Sequence, residues 1–277
     1  MNVGRRDFLR LTGLGAIAAS LGRISVAESE KGDVSMNPEL SPAVQMQFMR
    51  PGQLEAAGRK FPVAYVPFGP IEWHGRHLPL GNDALKAHAV LVKCAEKFGG
   101  AVHPPIYFHA GFDLKHLVPL LSQLFQRLKD TGFRAIMGVS GHNVEEQITM
   151  IEDALKPVVA DGTVAGIGIW EVTLSFSEES NTDHAAKWET SNMMFFYPDL
   201  VDMSALGTAP MKLDMSPPDG IGGLDPREHA SAAVGRRNVE LAADAIGKKA
   251  QELLASLPED QRAFRSQGIV PGNWWMI

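Results

Sequence analysis

The chain has 277 residues, 45% of them apolar, with 32 acidic against 26 basic side chains and a formal net charge of −6. That length and apolar content suffice for one large globular core, and an acidic balance without basic clusters argues against nucleic acid or an anionic membrane as partner. A single cysteine, Cys94, excludes an internal disulfide.

The N-terminus reads as an export signal. Arg5-Arg6-Asp7-Phe8-Leu9-Arg10 precedes a mild apolar stretch from Leu11 to Leu21, and Ser25-Val26-Ala27 supplies small residues at a cleavage position. The paired arginines point to the twin-arginine route. Gly13 and Gly15 disfavour an ordinary helix here, and the apolar stretch is too short for a stable membrane span. The expectation is a signal peptide over 1–27, a flexible polar lead-in over 28–45, and one domain over 46–277 in a periplasmic or secreted protein. Twin-arginine export carries folded proteins, which suits a protein that loads ions before leaving the cytoplasm.

Strand and helix patterns then alternate. Val63 to Phe68 is a continuous apolar run that predicts a buried strand. Asp83 to Phe98, closed by Gly99-Gly100, predicts a helix carrying Cys94 as a small packed group. Ala101 to Phe108 is expected to be extended. Leu117, Leu120, Leu121, Leu124, Phe125 and Leu128 recur as one helical face ending at Gly132. Arg134 to Val139 predicts a strand, Glu145 to Leu155 a helix stopped near Pro157, and Val164 to Val172 another strand. Glu189 to Tyr197 predicts a helix halted by Pro198, and a long helix covers roughly His229 to Leu257. This alternation implies an α/β fold, a three-layer αβα sandwich with a mostly parallel central sheet. Polar residues cluster just after its strands, where open α/β sheets bind ligands.

The densest cluster is Glu72-Trp73-His74-Gly75-Arg76-His77-Leu78-Pro79-Leu80-Gly81-Asn82-Asp83. Positions i and i+2 of an extended chain share a side, so Glu72 and His74 can share one surface, to which Pro79 and Gly81 can return Asp83. Carboxylate with imidazole suits Zn, Mn or Fe, and the two oxygens of Asp83 could bridge two ions. His77 either caps a turn or supports a ligand from behind. His103, His109 and His116 are further pocket candidates.

This segment resembles the signature of the creatininase (creatinine amidohydrolase) family, roughly E-x-H-G-x-H-L-P-x-x-x-D. The likeness continues through Gly132-Phe133-Arg134, Ser140-Gly141-His142-Asn143 and His184-Ala185-Ala186-Lys187-Trp188-Glu189-Thr190-Ser191, and closes at Gly222-Gly223-Leu224-Asp225-Pro226 with Ala233 and Gly235. The resemblance implies two divalent ions per subunit, with Glu72 and His142 holding one, His74 the other, and Asp83 both. It implies that His184 is the proton-transferring group and that the subunits form a homo-oligomer, a hexamer in the family; Asp183, adjacent to His184 in sequence, is placed to orient or tune it.

The chain departs from that pattern at two places. Creatinine-cleaving members carry a metal-binding Glu two residues after the His142 position, where this chain has Val144, so the third ligand of the second ion falls to Glu189 or, alternatively, Glu145. They also carry a tryptophan four residues before the loop histidine, where this chain has Ser180. Asn143 and Trp170 are the expected substrate contacts, with Trp188 more suited to the core and Trp274-Trp275 to a subunit contact. The expected function is metal-dependent hydrolysis of a small cyclic amide or related carbonyl compound. Formamide hydrolysis, cleavage of a cyclic keto-sugar C–C bond, and catalytically idle binding of a small molecule or metal are the alternatives.

Overall fold

The computed structural model describes residues 39–266. The signal expected over 1–27, most of the lead-in, and Trp274-Trp275 lie outside the described residues. The described end of the lead-in is already packed: Leu40 is buried in the core, and Gln45 is buried and bridges to Val102. The folded body therefore reaches back several residues before position 46.

Helix α1 (Pro51–Lys60) leads into the central strand β1 (Val63–Ile71). Helix α2 (Asn82–Phe98) follows, then two short strands, β2 (Ala101–Val102) and β3 (Ile106–His109). The expected single extended stretch is divided because Pro104 and Pro105 have no N–H to donate to a ladder. Both pieces pair parallel with β1. Next come α3 (Val118–Thr131), β4 (Ala135–Ser140), α4 (Glu145–Val159) and β5 (Ala165–Trp170). The chain closes with α5 (Lys187–Phe196), the single turn α6 (Pro226–His229) and the long α7 (Ala232–Ala255). The strands run β2-β1-β4-β5 with every pairing parallel, and β3 continues the β2 edge along β1.

Alternation along the strands builds two cores. Val63 and Tyr65 of β1, with Ala135, Met137 and Val139 of β4, pack against α2 and α7 through Val90, Leu91, Val239 and Ile246. The intervening Ala64, Val66, Phe68 and Ile136 pack against α3 and α4 through Leu121, Phe125, Ile151 and Leu155. This is the expected three-layer sandwich. Each fully buried large apolar side chain contributes about 1.5–3 kcal/mol of transfer free energy, so the sheet must be covered on both faces.

Three details differ from the expected pattern. Leu120 is 62% exposed, because α3 turns the stripe Leu121, Phe125 and Leu128 inward and leaves its neighbour 100° away at the rim. Pro157 does not stop α4, which runs on to Val159. A proline in a last turn forfeits only one ladder bond that fraying would weaken anyway. The terminal helix begins three residues later than expected, where the Ser231 side chain accepts from Val234 N–H and caps it.

Register decides where the site forms. Phe68 of β1 lies level with Ser140 of β4, and Ser140 with Trp170 of β5. The residues that follow each strand, among them Glu72, His142 and Glu171, therefore emerge together at the carboxyl edge of the sheet.

Candidate metal centre

Two glycines let the first turn of α2 dock onto this edge. A Cβ on Gly69 would stand 2.2 Å from the Ala84 amide nitrogen, and one on Gly141 would stand 2.0 Å from the Asp83 carbonyl oxygen. With hydrogen at both positions, Asp83 sits fully buried between the ends of β1 and β4. Its Oδ1 lies 3.0 Å from His74 Nε2, and its Oδ2 lies 3.1 Å from His142 Nδ1. Glu72 Oε1 is also 3.1 Å from His142 Nδ1 and 3.5 Å from His74 Nε2. Glu189, three residues into α5, brings Oε2 within 3.5 Å of His74 Nε2.

Ligand atoms of Glu72, Asp83 and His142 thus converge within 4.8 Å of one another, and so do those of His74, Asp83 and Glu189. A third such group joins Glu72, His74 and His184. Glu72 Oε1 and Asp83 Oδ2 are buried and turn to the same His142 nitrogen, 3.1 Å from each, without a well-formed hydrogen bond, so a cation that shared their lone pairs would relieve them. The donor set fits a borderline divalent ion. Glu145, by contrast, is exposed at the start of α4 and joins none of these groups.

The electrostatics agree. Burial alone would lower His74 and His142, but Glu189, Asp83 and Glu72 outweigh it at His74, Asp83 and Glu72 outweigh it at His142, and both rise to about 9. Burial would raise Asp83, yet the neighbouring imidazoles and Lys86 hold its carboxyl well below the usual range. An incoming cation therefore competes with protons on both rings, and its binding weakens as pH falls. His74 Nδ1 faces the Glu72 carbonyl oxygen at 3.4 Å, which orients Nε2 toward the carboxylates.

His184 stands beside this cluster, its ring 4.6 Å from that of His74. Its Nε2 lies 3.0 Å from the Trp73 carbonyl oxygen. A carbonyl only accepts, so Nε2 carries a proton and Nδ1 is the nitrogen turned to the site, 3.8 Å from Glu72 Oε1. Asp183 does not orient this ring: its two oxygens accept the Trp188 and Glu189 amides and so anchor the start of α5. His77 is buried and meets Thr190 Oγ1 at 2.8 Å, bracing α5 beside Glu189.

Two clefts open at the cluster. One of about 440 Å³ is lined by His142, Asn143, Val144, His184 and Glu189, with Met215 opposite. A larger one, about 690 Å³, runs past Glu72, His142 and Val144 to His109 and Phe112. Trp170 lines neither; its Nε1 donates to the Val144 carbonyl at 3.4 Å and holds the loop carrying Asn143. His103 turns to its own Pro104 carbonyl, and His116 is solvent-exposed beside Asp113. Ser180 is buried, its hydroxyl 2.7 Å from that of Ser175, and does not face the clefts.

Lys86 and Glu171 were not singled out from the sequence. Lys86 Nζ is buried 2.5 Å from Glu189 Oε1 and 2.8 Å from Glu171 Oε1. Each carried a signal: a lysine within a mostly apolar helix, and a carboxylate directly after a strand.

A parallel α/β sandwich with a carboxylate–imidazole cluster at the carboxyl ends of its strands defines a class of protein with a candidate divalent-ion site. The chain belongs to the creatininase family, whose model, described as creatinine amidohydrolase, matches residues 47–250. A creatinine amidohydrolase of Pseudomonas putida is 25% identical over an alignment of 174 positions that covers 51% of this chain and 66% of that relative, just under two thirds of its length. A substituted creatininase of Zn-Zn type superposes with a TM-score of 0.62 at 19% identity, over 76% of this chain and 97% of the other. A creatininase Mn structure gives a TM-score of 0.60 at 20% identity, over 76% and 98%. These two likenesses establish the shared fold.

Proposed function

We propose that this chain is a divalent-metal-dependent hydrolase of a small cyclic amide or related carbonyl compound. The observation that carries the reading is the position of Asp83, whose two oxygens serve two adjacent ligand groups, each completed by one histidine and one further carboxylate. In this reading Glu72, Asp83 and His142 hold one ion, and His74, Asp83 and Glu189 the second. Zn, Mn and Fe all suit such donors, and relatives of Zn-Zn and Mn type support a divalent ion. A bound ion supplies Lewis acidity, which polarises a carbonyl and acidifies water.

The chain's own side chains do the rest. His184 Nδ1 takes a proton from the attacking water and passes it to the departing atom, while its bond to the Trp73 carbonyl keeps the ring in the required tautomer. Asn143 lines the same cleft and offers an amide to the substrate.

Substrates other than creatinine are favoured. Ser180 replaces the tryptophan expected to cover a flat ring and is turned into its own loop. Val144 lines both clefts with an apolar side chain where a carboxylate was expected. Formamides and cyclic keto-sugars are therefore part of the test. The mature protein should be analysed for bound metal and assayed on creatinine, other cyclic amides, formamides and cyclic ketones. Metal-dependent turnover of one of the others above creatinine supports the reading; absence of metal and of turnover across the panel sinks it. Export by the twin-arginine route and assembly into a homo-oligomer, with the family's hexamer as the expected form, belong to the same proposal, and light scattering of the purified protein tests the assembly.

A further inference from the structure

We infer that Lys86 makes the two ion subsites unequal, so that one ion is held tightly by Glu72, Asp83 and His142 while the second, at His74, Asp83 and Glu189, binds weakly. This rests on the metal-site reading above.

Lys86 lies one turn after Asp83 on α2, and its side chain is wholly buried. A buried ammonium needs carboxylates or carbonyls around it, and this one takes Glu189 Oε1 at 2.5 Å and Glu171 Oε1 at 2.8 Å, with Asp83 Oδ1 at 3.9 Å. Glu171 belongs to no ligand group, whereas Glu189 and Asp83 both belong to the second subsite. Lys86 thus draws on the same lone pairs that a second ion would need.

Hydrogen bonding divides the two subsites in the same way. On the second, Asp83 Oδ1 accepts from Asn82 Nδ2 at 3.2 Å and faces His74 Nε2 at 3.0 Å. Glu189 Oε2 accepts the Ala185 amide at 2.8 Å, and its other oxygen is taken by Lys86. Every carboxylate oxygen there is already partnered. On the first subsite, Glu72 Oε1 and Asp83 Oδ2 are buried and share the single His142 Nδ1, 3.1 Å from each, with no hydrogen bond of good geometry to either. A cation arriving at the first subsite meets two acceptors that share one imidazole, and it displaces no fixed ammonium. One arriving at the second must displace or share existing partners and meets the field of a fixed ammonium, which salt screens little at this depth. Val144 adds no carboxylate to offset that field.

The experiment is a titration of metal-stripped protein with Zn²⁺ in competition with a chelator, with elemental analysis after equilibrium dialysis. The wild type should show two binding events separated by at least about tenfold in affinity, corresponding to about 1.4 kcal/mol. Glu189→Gln should remove only the weaker event. Lys86→Met should tighten the weaker event at least about tenfold. That substitution strips two buried carboxylates of their cation, so Lys86→Met with Glu171→Gln is measured beside it, with circular dichroism to verify folding. A single event in the wild type that becomes two in the folded double variant is the same result at its limit. Two wild-type events of equal affinity overturn the inference and leave the metal site standing, as does an unchanged gap in the folded double variant. Loss of the tighter event in Glu189→Gln reverses the assignment and overturns it too. No zinc bound at any concentration overturns the inference and the metal-site reading together.

Discussion

At the scale of single residues, the site turns on what each carboxylate and imidazole already has as a partner. Asp83 reaches both ligand groups from one buried position, so Asp83→Ala is expected to lose most bound metal; full retention of two ions by elemental analysis would remove the bridging role. His184 touches the cluster through one nitrogen and the Trp73 carbonyl through the other. His184→Ala should therefore keep its metal yet lose roughly 10²–10⁴-fold in kcat, the usual worth of a positioned acid–base group. A variant that keeps wild-type turnover would make the ring structural. The neighbouring Asp183 shows the hazard of inferring contact from adjacency, since its oxygens serve the α5 amides instead.

At the scale of elements, the decisive contact is the first turn of α2 against the ends of β1 and β4. Gly141→Ala would drive a methyl group into the Asp83 carbonyl, 2.0 Å from where its Cβ must stand, and backbone cannot rotate away as a side chain can. The expected outcome is a loss of about 1–3 kcal/mol in denaturant unfolding, together with weakened metal retention. Gly52→Ala in α1, with nothing within 4 Å of the added methyl, is the control and should be neutral or slightly stabilising. Equal behaviour of the two variants would mean that α2 docks with slack. The same turn carries Asp83 and Lys86 three residues apart, so one helix supplies both the shared carboxylate and the ammonium beside it.

At the scale of the whole molecule, burial couples stability to pH. His88 sits in the buried part of α2, its Nε2 has no hydrogen-bond partner, and burial lowers it to about 4. Above its ordinary value of 6.5 both folded and unfolded states carry a neutral ring. Between about 6.5 and 4 the unfolded chain binds a proton that the folded one refuses, so stability falls as pH falls, by up to about 3 kcal/mol in total. Replacing His88 with Gln should flatten this part of the pH–stability curve; an unchanged slope would show that other groups set it. Among the described residues no helix is long and apolar enough to cross a membrane. For export, Arg5→Lys with Arg6→Lys should leave precursor in the cytoplasm, and undiminished periplasmic accumulation would refute the twin-arginine route.

What the sequence determined by itself was whatever depends on local pattern. The apolar runs at 63–68 and 135–139 are strands because nothing charged interrupts them, and their alternation with periodic helices implies a parallel sheet with ligands at its carboxyl edge. The spacing from Glu72 to Asp83 and the family likeness identify Glu72, His74, Asp83 and His142 as a group, and the fold brings their ligand atoms together. Tertiary structure alone decided the rest, because it depends on which distant groups share one buried volume. The family's spacing favoured Glu189 over Glu145; the docking of α5 brings Glu189 to His74, while α4 leaves Glu145 in solvent. Trp170 looked like a cleft wall until its indole was found holding the Val144 carbonyl. Lys86 and Glu171 are 85 residues apart in a pattern that gives neither a motif, and only strand register and helix packing make them an ion pair beside the site. Burial supplies the physical reason: a lone charge is costly in a core, so each one marks a partner that local sequence cannot name.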